Sequence, residues 1–292
     1  MKNRKKICFF FNHERGFNVV KYFSKINTYE IKNIYLSKKN LNKKILPLIK
    51  KLNLNYNIIK KVNSYKVISF IKKNKVDINI ICAFPYFFKK DLLNSAKFGT
   101  LNMHGGKLPN YKGASTLNWQ IINGEKKIGI SIIKANTSID GGDILSQYSF
   151  NLKDNHEISD VHKIVNKKFP VILENTLKRY FRGKIKLKKN SGGKIYKQRS
   201  EKDGKINWRL MNSLEVYNFV RAITKPYPGA FSYIYNTKKK VVIYKCAKSK
   251  LNPKIPPGYI FKIGSKIFVK CFKQSVEIIK CSTKLKDRNL LI

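Results

Sequence analysis

Residues 6–36 read KICFFFNHERGFNVVKYFSKINTYEIKNIYL, and the rhythm of this run points to the fold class. The apolar run 6–11 has the density of a strand buried on both faces. Residues 17–24 space their apolar side chains as a helix does, and 29–36 return to a β-rich run. The alternation continues with a basic amphipathic helix over 42–52, a short strand over 56–59, a helix over 64–73 and a strand over 78–83. Strands separated by helices build βαβ units, hence an α/β domain on a parallel sheet. The turn after the first strand, residues 12–16, reads NHERG and lacks the GxGxxG of a dinucleotide site, which argues against nicotinamide chemistry.

With 292 residues, 42% of them hydrophobic, the chain can bury a large core. Its longest apolar stretch, 78–88 (INIICAFPYFF), is interrupted by Asn79 and Pro85 and falls well short of the roughly 20 residues of a membrane helix. The start, MKNRKK and a short apolar run, lacks the core and cleavage site of a signal peptide, so a cytoplasmic protein without a membrane partner is expected. The five cysteines are scattered, with no metal-ligand spacing, and the four histidines (His13, His104, His156, His162) form no HExxH; reduced thiols and no metal are expected. The net charge of +46 is nearly all lysine, with only eight arginines, in a chain rich in Asn, Ile, Tyr and Phe. It reads as a solvated surface of compositional origin rather than a nucleic-acid footprint, because phosphate recognition leans on the fixed fork of arginine.

Residues 155–181 carry helical periodicity, with Pro170 expected to kink or split the helix. The lysine- and glycine-rich stretch from 184 has no apolar face and reads as a linker. Beyond it a helix over 213–224 precedes closely spaced strands over 230–235, 239–247, 259–263, 266–271 and 276–280, the pattern of a small β-barrel or sandwich. The expected organisation is a catalytic domain over 1–183, a linker over 184–204 and a small C-terminal domain over 205–292.

The chemistry lies between 101 and 143. Asn102 and His104 sit two apart at a strand end, so their side chains share a face, and a glycine pair follows at once. Ligands of open α/β sheets bind outside such carboxyl ends. Further on, Ile139-Asp140-Gly141-Gly142-Asp143 is a tight turn that brings up two carboxylates. Amide, imidazole and carboxylate together make an acyl-transfer set: an oxyanion donor, an acid or base, and a group that orients the imidazole. By itself such a set is only suggestive, because a lone histidine near a strand end is more often structural.

The run 102–145, NMHGGKLPNYKGASTLNWQIINGEKKIGISIIKANTSIDGGDIL, resembles the signature of the folate-dependent formyltransferases. Their pattern is N-x-H-x-S-L-L-P-x-x-R-G, an amphipathic helix, G-[IV]-[ST] and a closing [LI]-D-x-G-[DA]. Its Asn, His and Asp fall on Asn102, His104 and Asp140, the last thirty-six residues beyond the histidine. Residues 200–230 (SEKDGKINWRLMNSLEVYNFVRAITKPYPGA) resemble the start of that family's second domain, and the strands around Pro257 to Ile260 its small barrel. The chain departs from the pattern at Gly106-Lys107 (usually Ser-Leu), Lys112 (usually Arg) and Thr116 (usually Pro).

The resemblance implies a Rossmann-like, mostly parallel sheet flanked by helices, followed by an OB-like barrel. It implies formyl transfer from 10-formyltetrahydrofolate to a primary amine, with Asn102 and His104 hydrogen-bonding the oxyanion and Asp140 supporting His104. The folate would lie against Tyr86, Phe87, Phe88, Gly106, Lys107, Leu108 and Pro109, and against Asn136, Thr137, Ser138 and Ile139. Asp143 is expected to steady the turn. His156 and His162 are expected to be structural, and Trp208, Arg221, Pro226, Pro228 and Gly229 to pack between domains. Between 29 and 59 there is no extended basic insertion that would enter a tRNA acceptor arm. The acceptor the resemblance favours is therefore a nucleotide-linked amino sugar, with initiator methionyl-tRNA as the alternative. Either is anionic.

Overall fold

The computed structural model describes residues 4–292. The chain divides into two compact units. The first holds the residues up to Gly113, with Gly129–Ser149 and Lys163–Ile195.

Its framework is a seven-stranded sheet of β1 (Lys5–Phe11), β2 (Tyr29–Ser37), β3 (Tyr56–Ile59), β4 (Ile78–Cys82), β5 (Thr100–His104), β7 (Lys127–Lys134) and β8 (Ile144–Asn151), in the order β3-β2-β1-β4-β5-β7-β8. The first five are parallel and β7 runs antiparallel to β5. The short strand β6 (Tyr111–Gly113) pairs outside this sheet with β9 (Lys194–Tyr196). Parallel strands are covered on both faces, which is why β1 is apolar and buried from Ile7 to Phe11. Successive β1 residues serve opposite faces. Phe9 meets Phe23 of α1 (Glu14–Phe23) edge-on. Phe10 stacks on Tyr35 at 4.8 Å and meets Phe88 edge-on at 4.8 Å, in a cluster that also buries Val67 and Ile71 of α3 (Tyr65–Lys73).

Two expectations from periodicity are corrected. The helix expected over 42–52 is a 3₁₀ turn, Lys43–Ile45, followed by α2 (Leu46–Lys51), because Pro47 lacks an N–H and fits only a first turn. The helix expected to kink or split at Pro170 is not split: α6 (Ile158–Tyr180) is one helix. Val165 and Phe169 before the proline, and Leu173 and Leu177 after it, are all fully buried. That shared apolar face commits both halves to one core and offsets the lost backbone bond.

The second unit takes in Ala114–Ile128, Phe150–His162 and Tyr196–Ile292, so packing assigns it two stretches that precede the expected boundary at 183. It holds α5 (Thr116–Ile122), α7 (Ser213–Ile223) and the antiparallel sheet β10 (Ala230–Tyr233), β11 (Lys240–Ser249), β14 (Ser275–Cys281), β13 (Lys266–Lys270) and β12 (Ile260–Ile263), in that spatial order. A capping box between Asn212 and Glu215 starts α7. The last residues close the sheet. Ile292 exchanges backbone bonds with Tyr233 beside β10, and Leu291 donates to Gly258 beside β12, giving the small barrel. Trp208 and Arg221 pack inside this unit rather than between domains. The Trp208 indole donates to Ser232, and the Arg221 guanidinium, with little exposure, donates to the carbonyls of Lys153, Asp154 and His156 and to Asn218.

Candidate active site

Asn102 and His104 close β5, where the chain leaves the sheet. Strand alternation sends both side chains to one side, and the register opposite β7 brings the 136–143 turn over them. Gly142 makes that turn possible. A Cβ there would sit 1.6 Å from the Lys134 carbonyl oxygen, so no other residue fits. Asp140 adopts a left-handed backbone (φ 44°), uncommon for a residue with a side chain.

The three sequence-predicted residues meet at the Asp140 carboxylate. Asn102 Nδ2 donates to Oδ1 at 2.9 Å, and His104 Nδ1 faces the same oxygen at 3.4 Å. The Gly113 amide donates to Oδ2 at 2.8 Å, a contact that sequence reading missed because a backbone group leaves no residue signature. His104, 6% exposed, also lies 2.6 Å through Nε2 from the Tyr111 carbonyl. A carbonyl only accepts, so Nε2 carries a hydrogen in this arrangement. The glycine at 106 permits it: a Cβ there would meet the Tyr111 oxygen at 2.2 Å and His104 Nε2 at 2.4 Å.

The loop after His104 is held by a polar clamp. Ser131 Oγ donates to the Gly106 carbonyl (2.8 Å) and accepts from the Leu108 amide (3.2 Å), while Gln147 Nε2 donates to the Leu108 carbonyl (2.8 Å). Lys107 is exposed and Pro109 half-buried, whereas Leu108 is buried with Ile133 and Ile144. Asn136, Thr137, Ser138 and Ile139 form an exposed loop beside Asp140, opened by a turn in which Asn136 Oδ1 accepts from the Ser138 amide. The aromatic trio separates. Phe88 lies in the core against Phe10, Tyr86 is half-buried against Phe84, and Phe87 points outward. Of the three rings, that of Phe88 serves packing.

Asp143 behaves as a turn residue, its carbonyl accepting from the Lys134 amide and its carboxylate facing Lys189. A cavity of about 500 Å³ opens beside it, lined in part by Lys134, Gly142, Lys189 and Asn190. Among the described residues no cluster of His, Cys, Asp and Glu is suited to hold a metal, and no helix is long and apolar enough to cross a membrane. All five cysteines are free; burial pushes the Cys8 thiol up to about 12 and that of Cys82 to about 11.

This asparagine–histidine–aspartate arrangement coincides with a family match. The formyl transferase family model covers residues 30–177, about half the chain, and the formyl transferase C-terminal domain model covers 199–288. The chain belongs to the formyl transferase family. Among curated relatives, this formyl transferase is 33% identical over 287 residues to the bifunctional polymyxin resistance protein ArnA of Wigglesworthia glossinidia brevipalpis, covering 94% of this chain. It spans only 40% of the length of that relative. Solved structures share the fold. The sugar 3N-formyl transferase WlaRD, crystallised with dTDP and 5-N-formyl-THF, aligns over 97% of this chain and all of its own, with a TM-score of 0.70 and 20% identity. The N-formyltransferase of Helicobacter canadensis, in complex with folinic acid and dTDP-3-aminofucose, aligns over 94% of this chain and 98% of its own, with a TM-score of 0.69 and 18% identity.

Proposed function

We propose that this formyl transferase moves the formyl group of 10-formyltetrahydrofolate onto the primary amine of a nucleotide-linked amino sugar. The observation that carries the reading is the convergence of Asn102 and His104 on the Asp140 carboxylate at the end of β5. Support for the donor and acceptor comes from the ligands named for the two similar structures: 5-N-formyl-THF and dTDP in one, folinic acid and dTDP-3-aminofucose in the other. Free thiols, four of the five buried, support a reducing, cytoplasmic setting.

In this reading the acceptor nitrogen attacks the formyl carbon, and the carbonyl oxygen takes up the negative charge of a tetrahedral intermediate. The C–N10 bond then breaks as N10 takes up the proton the amine has lost, releasing tetrahydrofolate. Asn102 Nδ2 has a second hydrogen, besides the one given to Asp140, to offer that oxygen. His104 joins by giving up the Tyr111 carbonyl, which frees its Nε2–H for the oxyanion while Asp140 holds Nδ1. Each donor in such a site is worth on the order of 3 kcal/mol. Asp140 keeps lone pairs to receive the amine proton, directly or through water.

The second reading, initiator methionyl-tRNA as acceptor, rests on the net charge of +46. Tetrahydrofolate release is to be followed with a UDP- or dTDP-linked 4-amino sugar and with methionyl-tRNA, His104→Ala beside each. Turnover with the amino sugar that is lost in the variant upholds the proposal. Turnover with the tRNA alone replaces it by the second reading.

A further inference from the structure

Asp140 owes its backbone conformation to a residue fifty positions later. The stretch from 184, read from sequence as a linker, carries Asn190, whose side chain is almost wholly buried. Asn190 Nδ2 donates to the Asp140 carbonyl at 2.6 Å and to the Gly142 carbonyl at 2.9 Å. Both hydrogens of the amide are thereby used on the two carbonyls that flank Gly141. The main chain of Asn190 is held in turn: its carbonyl accepts at 3.2 Å from the ammonium of Lys112, itself buried. The next residue, Gly113, donates its amide to the Asp140 carboxylate. Loop 111–113, turn 140–142 and Asn190 thus close one ring of hydrogen bonds around Asp140.

We propose that Asn190 is a positioning residue for the reacting centre, fixing the left-handed Asp140 backbone and so the carboxylate on which Asn102 and His104 converge. A left-handed residue with a side chain persists where its surroundings over-determine it, and here the determinants are this amide and the glycines that follow. Asn190 Oδ1 is buried and finds no protein partner. An alanine would remove that unpaired acceptor; what it cannot replace is the pair of N–H donors. Asn190 reaches the reacting centre through the Asp140 turn, so its loss is expected to change how well bound substrates react more than how well they bind. The catalytic part of this inference rests on the formyl-transfer reading.

The test compares wild type with Asn190→Asp, which keeps the shape and loses both donors, Asn190→Ala, and Lys112→Met, which releases the Asn190 main chain. Steady-state formyl transfer is expected to show kcat down roughly hundredfold for the Asn190 variants, the cost of misplacing a group by about 1 Å, with both KM values little changed. Ring resonances of the four histidines provide a readout independent of turnover. The His104 signal, assigned with His104→Ala, is expected to move in the Asn190 variants while those of His13, His156 and His162 hold. An unmoved His104 signal in folded Asn190 variants overturns the inference, as does an unchanged kcat in active enzyme. A wild type that formylates neither acceptor refutes the functional reading instead, and the His104 signal then decides the role of Asn190 alone.

Discussion

Gly106 leaves the His104 imidazole its room. The space a methyl would need is already taken by the Tyr111 carbonyl and by Nε2 of the ring itself. Gly106→Ala is therefore expected to push the loop or the ring aside and lower kcat roughly tenfold to hundredfold, read by steady-state kinetics, with a smaller effect on melting temperature. Asn102→Ala removes a donor without adding bulk, so a loss of roughly hundredfold in kcat is expected with the fold intact, checked by the same assay and by circular dichroism. Asn102 and His104 could be paired from sequence because a strand repeats every two residues. The glycine-rich turn announced two carboxylates, Asp140 and Asp143, and the resemblance to the formyltransferase motif singled out Asp140. The Tyr111 carbonyl, the Gly113 amide and Asn190 carry no such mark: two are backbone groups and the third sits in a stretch without periodicity.

Between elements, α1 and α6 are joined by a carboxylate. Glu174 on α6 accepts from the Tyr22 hydroxyl at 2.6 Å and pairs with Lys178, four residues on, at 2.6 Å. The Lys178 ammonium first, and the Tyr22 hydroxyl second, hold the Glu174 carboxyl below its usual 4.5. A carboxyl depressed in the folded state stabilises it fully above the unfolded value and loses that contribution as pH falls through the folded one. Lys178 is half-exposed, which discounts the pair. Glu174→Gln is expected to cost about 1 kcal/mol near neutral pH, and the gap from wild type to narrow in thermal melts as pH falls through the depressed carboxyl. A gap independent of pH would show that packing, not charge, joins the two helices. The two corrected helices differ at this scale in where the proline sits. Pro47 sits in the first turn of α2 and Pro170 well inside α6, and buried residues flank both: Ile45 and Ile49 around the one, Phe169 and Leu173 around the other.

Charge is a property of the whole molecule. With 62 basic against 16 acidic residues, the surface attracts any anion, yet attraction and recognition scale differently with salt. An amino-sugar nucleotide brings two phosphates, so kcat/KM is expected to fall only about tenfold between about 50 and about 200 mM salt. A tRNA engaged through six or more phosphates would lose roughly a thousandfold over the same range. The salt slope therefore tests the acceptor independently of product analysis. What the sequence determined by itself was the periodic part: the strands and helices of a parallel α/β sheet, the later strands of the barrel, and the motif that aligns Asn102, His104 and Asp140. The strands and helices follow from local spacing, which any one segment contains in full, whereas the motif was singled out by its resemblance to a known family. Only the tertiary structure decided which segments share a compact unit, how residues 288–292 close the barrel, and that a lysine-rich stretch supplies the amide that steadies Asp140. Those contacts join residues far apart in sequence, and no local pattern encodes a partner fifty residues away.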